Sequence, residues 1–165
     1  MSDLAYRAMM LARNVHAYQR RKYTNNPYFD HLAEVAGITA SVATDEVSLA
    51  VAWLHDSMED QNIVFTGIAD YFGFEVANGV LLLSDLETGN RAERKRLSRE
   101  RLAGAPAWVQ TIKCADLISN TSSIVEHDPD FAKVYLEEKR LLLEVLTLAD
   151  GRLRDIAMEK IGGGE

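Results

Sequence analysis

Four residues of this chain have types and spacing suited to chemistry: His31, the adjacent pair His55-Asp56, and Asp116. Two imidazoles and two carboxylates can hold one divalent transition metal and leave positions for water and a phosphate oxygen. Borderline-soft nitrogen mixed with hard oxygen suits Mn²⁺, Fe²⁺, Co²⁺ or Zn²⁺ better than Ca²⁺. Neighbours on a helix point roughly 100° apart, so His55 and Asp56 reach one ion only off the helix end or in a crevice beside it. By itself the dipeptide equally describes a solvated helix C-terminus. Glu59 lies four residues after His55, on the same face if the helix continues. With Asp60 it can position or deprotonate a metal-bound water, or the two can be ordinary surface acids. Asp116 and Asn120 repeat the four-residue spacing on a mostly apolar helix, where an unpaired carboxylate is costly and a metal or a salt bridge would remove the cost.

The elements that must position these residues read as helices. Ser2-Asp3 can cap a first helix running to about Lys22, and Tyr23 to Pro27 is a polar loop. Asp30 can cap a second helix to about Val42, which puts His31 at a helix start. Asp45 caps a third, whose Val47, Leu49, Ala50, Val51, Trp53 and Leu54 leave so little polar surface that it should be central, with His55 and Asp56 emerging at its end. Ile63 to Phe72 is a short helix stopped by Gly73. Phe74 to about Leu86 follows as a helix, with a buried strand over 80–83 as the alternative. Asn90 to Leu102 is a charged helix ending near Gly104, and Pro106 suits the first turn of the helix carrying Trp108, Val109, Ile112, Ala115, Asp116 and Leu117. His127-Asp128-Pro129-Asp130 is a break, followed by helices from about Asp130 to Leu148 and Gly151 to Ile161, with a Gly-rich tail from about 162. The architecture expected is all-α, a bundle of about eight or nine helices in a single domain over 1–165.

A length of 165 residues with 47% hydrophobic content supports one cored domain. A net charge of −7 argues against nucleic-acid or anionic-membrane partners, so an anionic substrate must be met by local positive charge. Cys114 is the single cysteine. No internal disulfide or cysteine zinc cluster is possible, and a reducing cytoplasm is the natural compartment. The N-terminus lacks a basic-then-apolar signal, and the apolar runs are too short to span a bilayer. Cys114 occupies an apolar position without an evident base and reads as a core thiol. His16 reads as surface or packing of the first helix, His127 as a loop residue, and Trp53 and Trp108 as core.

Gln-Arg-Arg-Lys at 19–22, Pro-Tyr-Phe-Asp-His at 27–31, His-Asp-Ser-Met-Glu-Asp at 55–60, Glu-Arg-Lys-Arg-Leu at 93–97 and Lys-Cys-Ala-Asp-Leu-Ile-Ser-Asn at 113–120 occur in this order. Together they resemble the hydrolase domain of the RelA/SpoT homologue family, within the HD phosphohydrolase superfamily, over about residues 3–160. The resemblance is to its small stand-alone hydrolases. It implies an HD-domain helical bundle and a Mn²⁺-dependent hydrolase removing the 3′-pyrophosphate of guanosine tetraphosphate and pentaphosphate alarmones, giving GDP or GTP and pyrophosphate. It also implies metal ligands His31, His55, Asp56 and Asp116, and catalytic Glu59 and Asp60 that orient or activate the attacking water. Substrate contacts follow at Arg21, Lys22, Lys95 and Asn120, and at Tyr135 by a looser alignment. Leu32 replaces a frequent family proline, and Leu117 and Ser122 stand where the family usually carries basic residues. These changes leave ligation intact and bear on base and phosphate number.

The physics of the job agrees, because a pyrophosphate ester needs a metal to neutralise charge and cationic groups around its phosphates. Arg20-Arg21-Lys22 is one basic cluster, and Arg91, Arg94, Lys95, Arg96, Arg99 and Arg101 form another. Most of the second cluster can equally be a solvated face paired with Glu93 and Glu100. The rival functions are a phosphohydrolase for another nucleotide (NADPH, an adenosine alarmone or a deoxynucleotide) and a non-catalytic nucleotide-sensing module. Protein partners are left open, a homo-oligomer among them.

Overall fold

Every regular element among the described residues, 3–162, is an α-helix in the computed structural model. Ser2, Gly163 and Gly164, named above for a cap and a tail, lie outside the described residues, as does the side chain of Ser122. The contacts divide the chain into two compact units, Met1–Leu86 and Glu87–Glu165.

The first unit holds α1 (Asp3–Val15), α2 (Tyr28–Ala40), α3 (Glu46–Leu54), α4 (Ser57–Gln61), α5 (Phe65–Phe72) and α6 (Phe74–Leu83). Asp45 caps α3 as expected, its carboxylate accepting from the Ser48 amide at 2.8 Å. With Ala50 through Leu54 all buried, α3 is the central helix and packs against α1, α2 and α6. Phe29 stacks on Trp53, ring centroids 5.4 Å apart, which fixes α2 on α3. Residues 80–83 are helical, which settles the strand alternative.

Several boundaries move. The first helix stops at Val15 rather than near Lys22, because the chain folds back on itself: Arg20 bridges Pro27, and the Asn25 amide closes on the Arg21 carbonyl with Asn25 at φ 57. The second helix starts two residues before Asp30, with Pro27 at its N-cap position, so Asp30 lies in the first turn rather than capping it. Phe74–Leu83 ends before Leu86, where Ser84 turns extended. After the turn at His55-Asp56 the chain resumes as α4, closed by Asn62 at φ 54.

The second unit holds α7 (Arg91–Ala103), α8 (Ala107–His127), α9 (Pro129–Val145) and α10 (Gly151–Gly162). Asn90 caps α7 through the Glu93 amide, and Pro106 sits at the N-cap of α8 rather than within its first turn. His127 is the last residue of α8 rather than part of a loop, and α9 opens with Pro129 at its first position, which a missing N–H tolerates. Its C-terminal end falls at Val145, short of Leu148. α8 packs against α9 and α10, and α7 against α9. Buried Gln110 joins these elements: its amide donates to the Leu102 carbonyl at 3.0 Å and the Ala105 carbonyl at 3.3 Å, and its oxygen accepts from the Leu148 amide at 2.8 Å.

Candidate metal centre and flanking acids

His31 in the first turn of α2 and His55 at the C-cap of α3 are 0% and 2% exposed. Their rings meet edge to face at 5.4 Å, and a ring nitrogen of one lies within 4.8 Å of a ring nitrogen of the other. The Ala52 carbonyl accepts from His55 Nδ1 at 2.8 Å, which requires the proton on Nδ1 and leaves the Nε2 lone pair facing outward. That Nε2 lies 3.0 Å from Asp56 Oδ2, and His31 Nε2 lies 3.5 Å from the same oxygen. The backbone makes this possible: Asp56, at φ −94 and ψ −1, breaks the α3 helical path and brings two neighbouring side chains together. The His55 Nε2 lone pair and an anionic oxygen this close repel unless a cation lies between them, so the donor set fits a divalent transition ion.

Tyr28, which sequence reasoning left without a role, donates from its hydroxyl to Asp56 Oδ2 at 2.6 Å. Glu59 and Asp60 sit on α4, both exposed. The Asp85 amide donates to Glu59 at 2.9 Å, and Gln19 Nε2 donates to Asp60 Oδ2 at 2.7 Å. Arg21 lies 3.4 Å from Glu34, and Lys22 rests over the ring of Tyr23 at 4.8 Å, both on the loop that leads into α2.

In the second unit, Asp116 is 7% exposed on α8. Lys113 Nζ donates to its Oδ2 at 2.8 Å and Asn120 Nδ2 to its Oδ1 at 2.7 Å. Lys113 and Asp116 stand one helical turn apart, an i, i+3 spacing that lets the ammonium reach the carboxylate within α8. Tyr135, on α9, is 6% exposed, and burial pushes its phenol well above the usual range, with the Asp116 charge adding to the effect. Lys95 is half-buried on α7. Its neighbours are largely paired: Arg96 with Glu93 and Glu100, Arg91 with Glu138, Arg101 with Glu87. Leu117 is 1% exposed and packs in the core, so no polar group replaces the basic residue expected there. Cys114 is fully buried, and burial pushes its thiol up to about 12, as befits a core residue.

A family model described as the HD domain matches residues 8–128. The Xenopus tropicalis guanosine-3′,5′-bis(diphosphate) 3′-pyrophosphohydrolase MESH1 is 34% identical over 130 residues, covering 77% of this chain and 73% of that protein. The chain belongs to the RelA/SpoT hydrolases of the HD domain family. Members of this family differ greatly in length: a probable 3′-pyrophosphohydrolase of Synechocystis is 33% identical over 77% of this chain but only 17% of its own. The solved structure of a metazoan SpoT orthologue that hydrolyses ppGpp superposes with a TM-score of 0.90 at 26% identity, covering 99% of this chain and 96% of that one. A Listeria monocytogenes structure, TM-score 0.72 at 21% identity over 86% of this chain, shares the fold. Among the described residues no helix is long and apolar enough to cross a membrane.

Proposed function

We propose that this chain is a metal-dependent 3′-pyrophosphohydrolase of guanosine tetraphosphate and pentaphosphate, using water to give GDP or GTP and pyrophosphate. The observation that carries the reading is the convergence of His31 and His55 Nε2 on Asp56 Oδ2, within a family whose relatives bear that activity in their names. The proposed ligands are His31, His55, Asp56 and Asp116, with Asp116 assigned from the family motif, and the proposed organisation is a single hydrolase domain over 1–165. Mn²⁺ is the proposed ion on the family resemblance, and the mixed nitrogen and oxygen set suits it as it does Fe²⁺, Co²⁺ or Zn²⁺. Bound there, it would neutralise phosphate charge and make hydroxide available near pH 7.

The chain's own residues supply the rest. Exposed Glu59 and Asp60 orient the attacking water and accept its proton. Arg21, Lys22 and Lys95 meet the phosphates, Arg21 as a planar fork and the lysines as point charges. Asn120 and Tyr135 complete the proposed contacts. The net charge of −7 supports a protein without nucleic-acid or anionic-membrane partners, and the single cysteine, Cys114, supports a reducing cytoplasm. Light scattering tests whether the enzyme works as a homo-oligomer.

The deciding experiment is a nucleotide panel with Mn²⁺ and product identification. Release of pyrophosphate from guanosine tetraphosphate is expected. Cleavage of NADPH, an adenosine alarmone or a deoxynucleotide with guanosine tetraphosphate untouched would transfer the assignment to that nucleotide. Tight nucleotide binding without turnover under any divalent metal would leave a sensing module.

A further inference from the structure

His16 follows the end of α1, and its ring is 1% exposed. Its Nδ1 lies 2.6 Å from Gln19 Oε1. The Gln19 amide can face only one way, because its Nε2 donates to Asp60 Oδ2 and its Oε1 accepts from Gln61 Nε2 at 2.6 Å. Flipping it would set oxygen against carboxylate and NH₂ against NH₂. His16 must therefore donate from Nδ1. Its Nε2 has no hydrogen-bond partner among the described residues, an arrangement that burial tolerates better for a lone pair than for an N–H. The face of the same ring stacks on Tyr28, centroids 5.3 Å apart and planes 19° from parallel, and Tyr28 is the residue that donates to Asp56.

We propose that His16 is a positioning residue with two arms: its Nδ1–H orients Gln19 to hold Asp60, and its face orients Tyr28 to hold Asp56. The inference rests on the reading of Asp60 as a catalytic carboxylate and Asp56 as a metal ligand. The physical logic is that Asp56 precedes α4 and Asp60 sits on it, and a helix of only five residues cannot fix side-chain directions unaided. A buried, neutral imidazole has one donor edge and one flat face. It ties the general-base side and the ligand side to a common anchor just after α1 without adding a charge to the site.

The arms separate by substitution. His16→Phe keeps the stack and removes the donor, and His16→Asn keeps a donor near the Nδ1 position and removes the stack. His16→Phe and Gln19→Leu are expected to lower kcat by roughly 10- to 100-fold, with KM and calorimetric Mn²⁺ affinity within about twofold of wild type. His16→Asn and Tyr28→Phe are expected to weaken Mn²⁺ binding by about tenfold, the scale of losing an outer hydrogen bond to a ligand. In the metal-free protein, ¹⁵N imidazole shifts of His16 should report protonated Nδ1 and unprotonated Nε2 at pH 8. The opposite tautomer overturns the proposal, as do losses of kcat and Mn²⁺ affinity that fall together in both His16 variants in step with lowered Tm. Wild-type turnover in folded His16→Phe beside an inactive Asp60→Asn overturns this inference alone. Full turnover in Asp60→Asn overturns the reading of the site and the Asp60 arm with it.

Discussion

Asp56 stands at the break between α3 and α4 with two imidazoles and a phenol around it, and Asp116 stands within α8 with an ammonium and an amide around it. Asp56 is partly exposed and Asp116 buried, and their settings differ in kind. The Lys113 ammonium neutralises Asp116 from within its own helix. The His55 Nε2, with its lone pair toward Asp56, does not neutralise it, and Tyr28 contributes a hydrogen bond. The first setting gains from an added cation, whereas the second already carries one. The difference teaches that the aspartates of one proposed ligand set need not be equally ready for the ion. Asp56 is prepared by its neighbours, and Asp116 must share itself with Lys113.

The largest expected effect comes from removing either carboxylate. Asp56→Ala and Asp116→Ala should each abolish measurable Mn²⁺ binding and lower turnover by about 10³-fold or more, the scale on which an essential group is missed. Normal Mn²⁺ occupancy in the Asp116 variant by metal analysis would break the shared ligand role and leave Asp116 as a salt-bridge residue. Next comes Glu59→Gln, expected to retain Mn²⁺ while losing roughly 10²- to 10⁴-fold in kcat. Loss of metal along with rate would make Glu59 a ligand instead.

Lys113→Met sharpens the contrast directly. Stranding a nearly buried carboxylate should destabilise the metal-free protein by about 3 kcal/mol, and added Mn²⁺ should restore more stability to this variant than to wild type. Thermal melts with and without the ion read both parts, and equal Mn²⁺ shifts in the two proteins would contradict them.

The smallest effect is a slope. Burial holds the His16 pKa below its ordinary 6.5, outweighing the opposing pull of Gln19, Asp56 and Asp60, with His55 adding to the depression. The unfolded chain then binds a proton that the native ring refuses. His16 therefore contributes full stability above about pH 6.5, and loses it as pH falls from there toward its native pKa. Urea titrations of His16→Phe should show a flatter fall in stability across that window than wild type does.

Much of the framework was legible because helix signals are local. The Asp45 cap, the wholly apolar Val47 to Leu54 stretch and the Gly73 stop each act within a few residues, and the motifs were read from their order along the chain. The fold-back after Val15 was not legible, since Arg20-Arg21-Lys22 contains no breaker and the turn depends on pairing with Pro27. The link from Gln19 to Asp60 and that from Tyr28 to Asp56 span 41 and 28 residues, a separation at which side-chain spacing says nothing. For His16, sequence allowed surface or packing, and burial decided for packing. Lys113 was different, being one helical turn from Asp116 and in plain view, but a basic residue beside a motif aspartate invites a substrate role before a counterion role.

Gln110 carries a consequence for hydrogen exchange. The Leu148 amide belongs to the short connection between α9 and α10, where backbone protons ordinarily exchange by small local openings. Its acceptor is the buried side chain of a residue on α8, whose amide also holds the turn between α7 and α8. Releasing that proton requires the glutamine to leave its pocket and both connections to loosen together. The Leu148 N–H should therefore exchange as slowly as the amides of α8, a loop proton that reports the cooperative opening of the whole second unit.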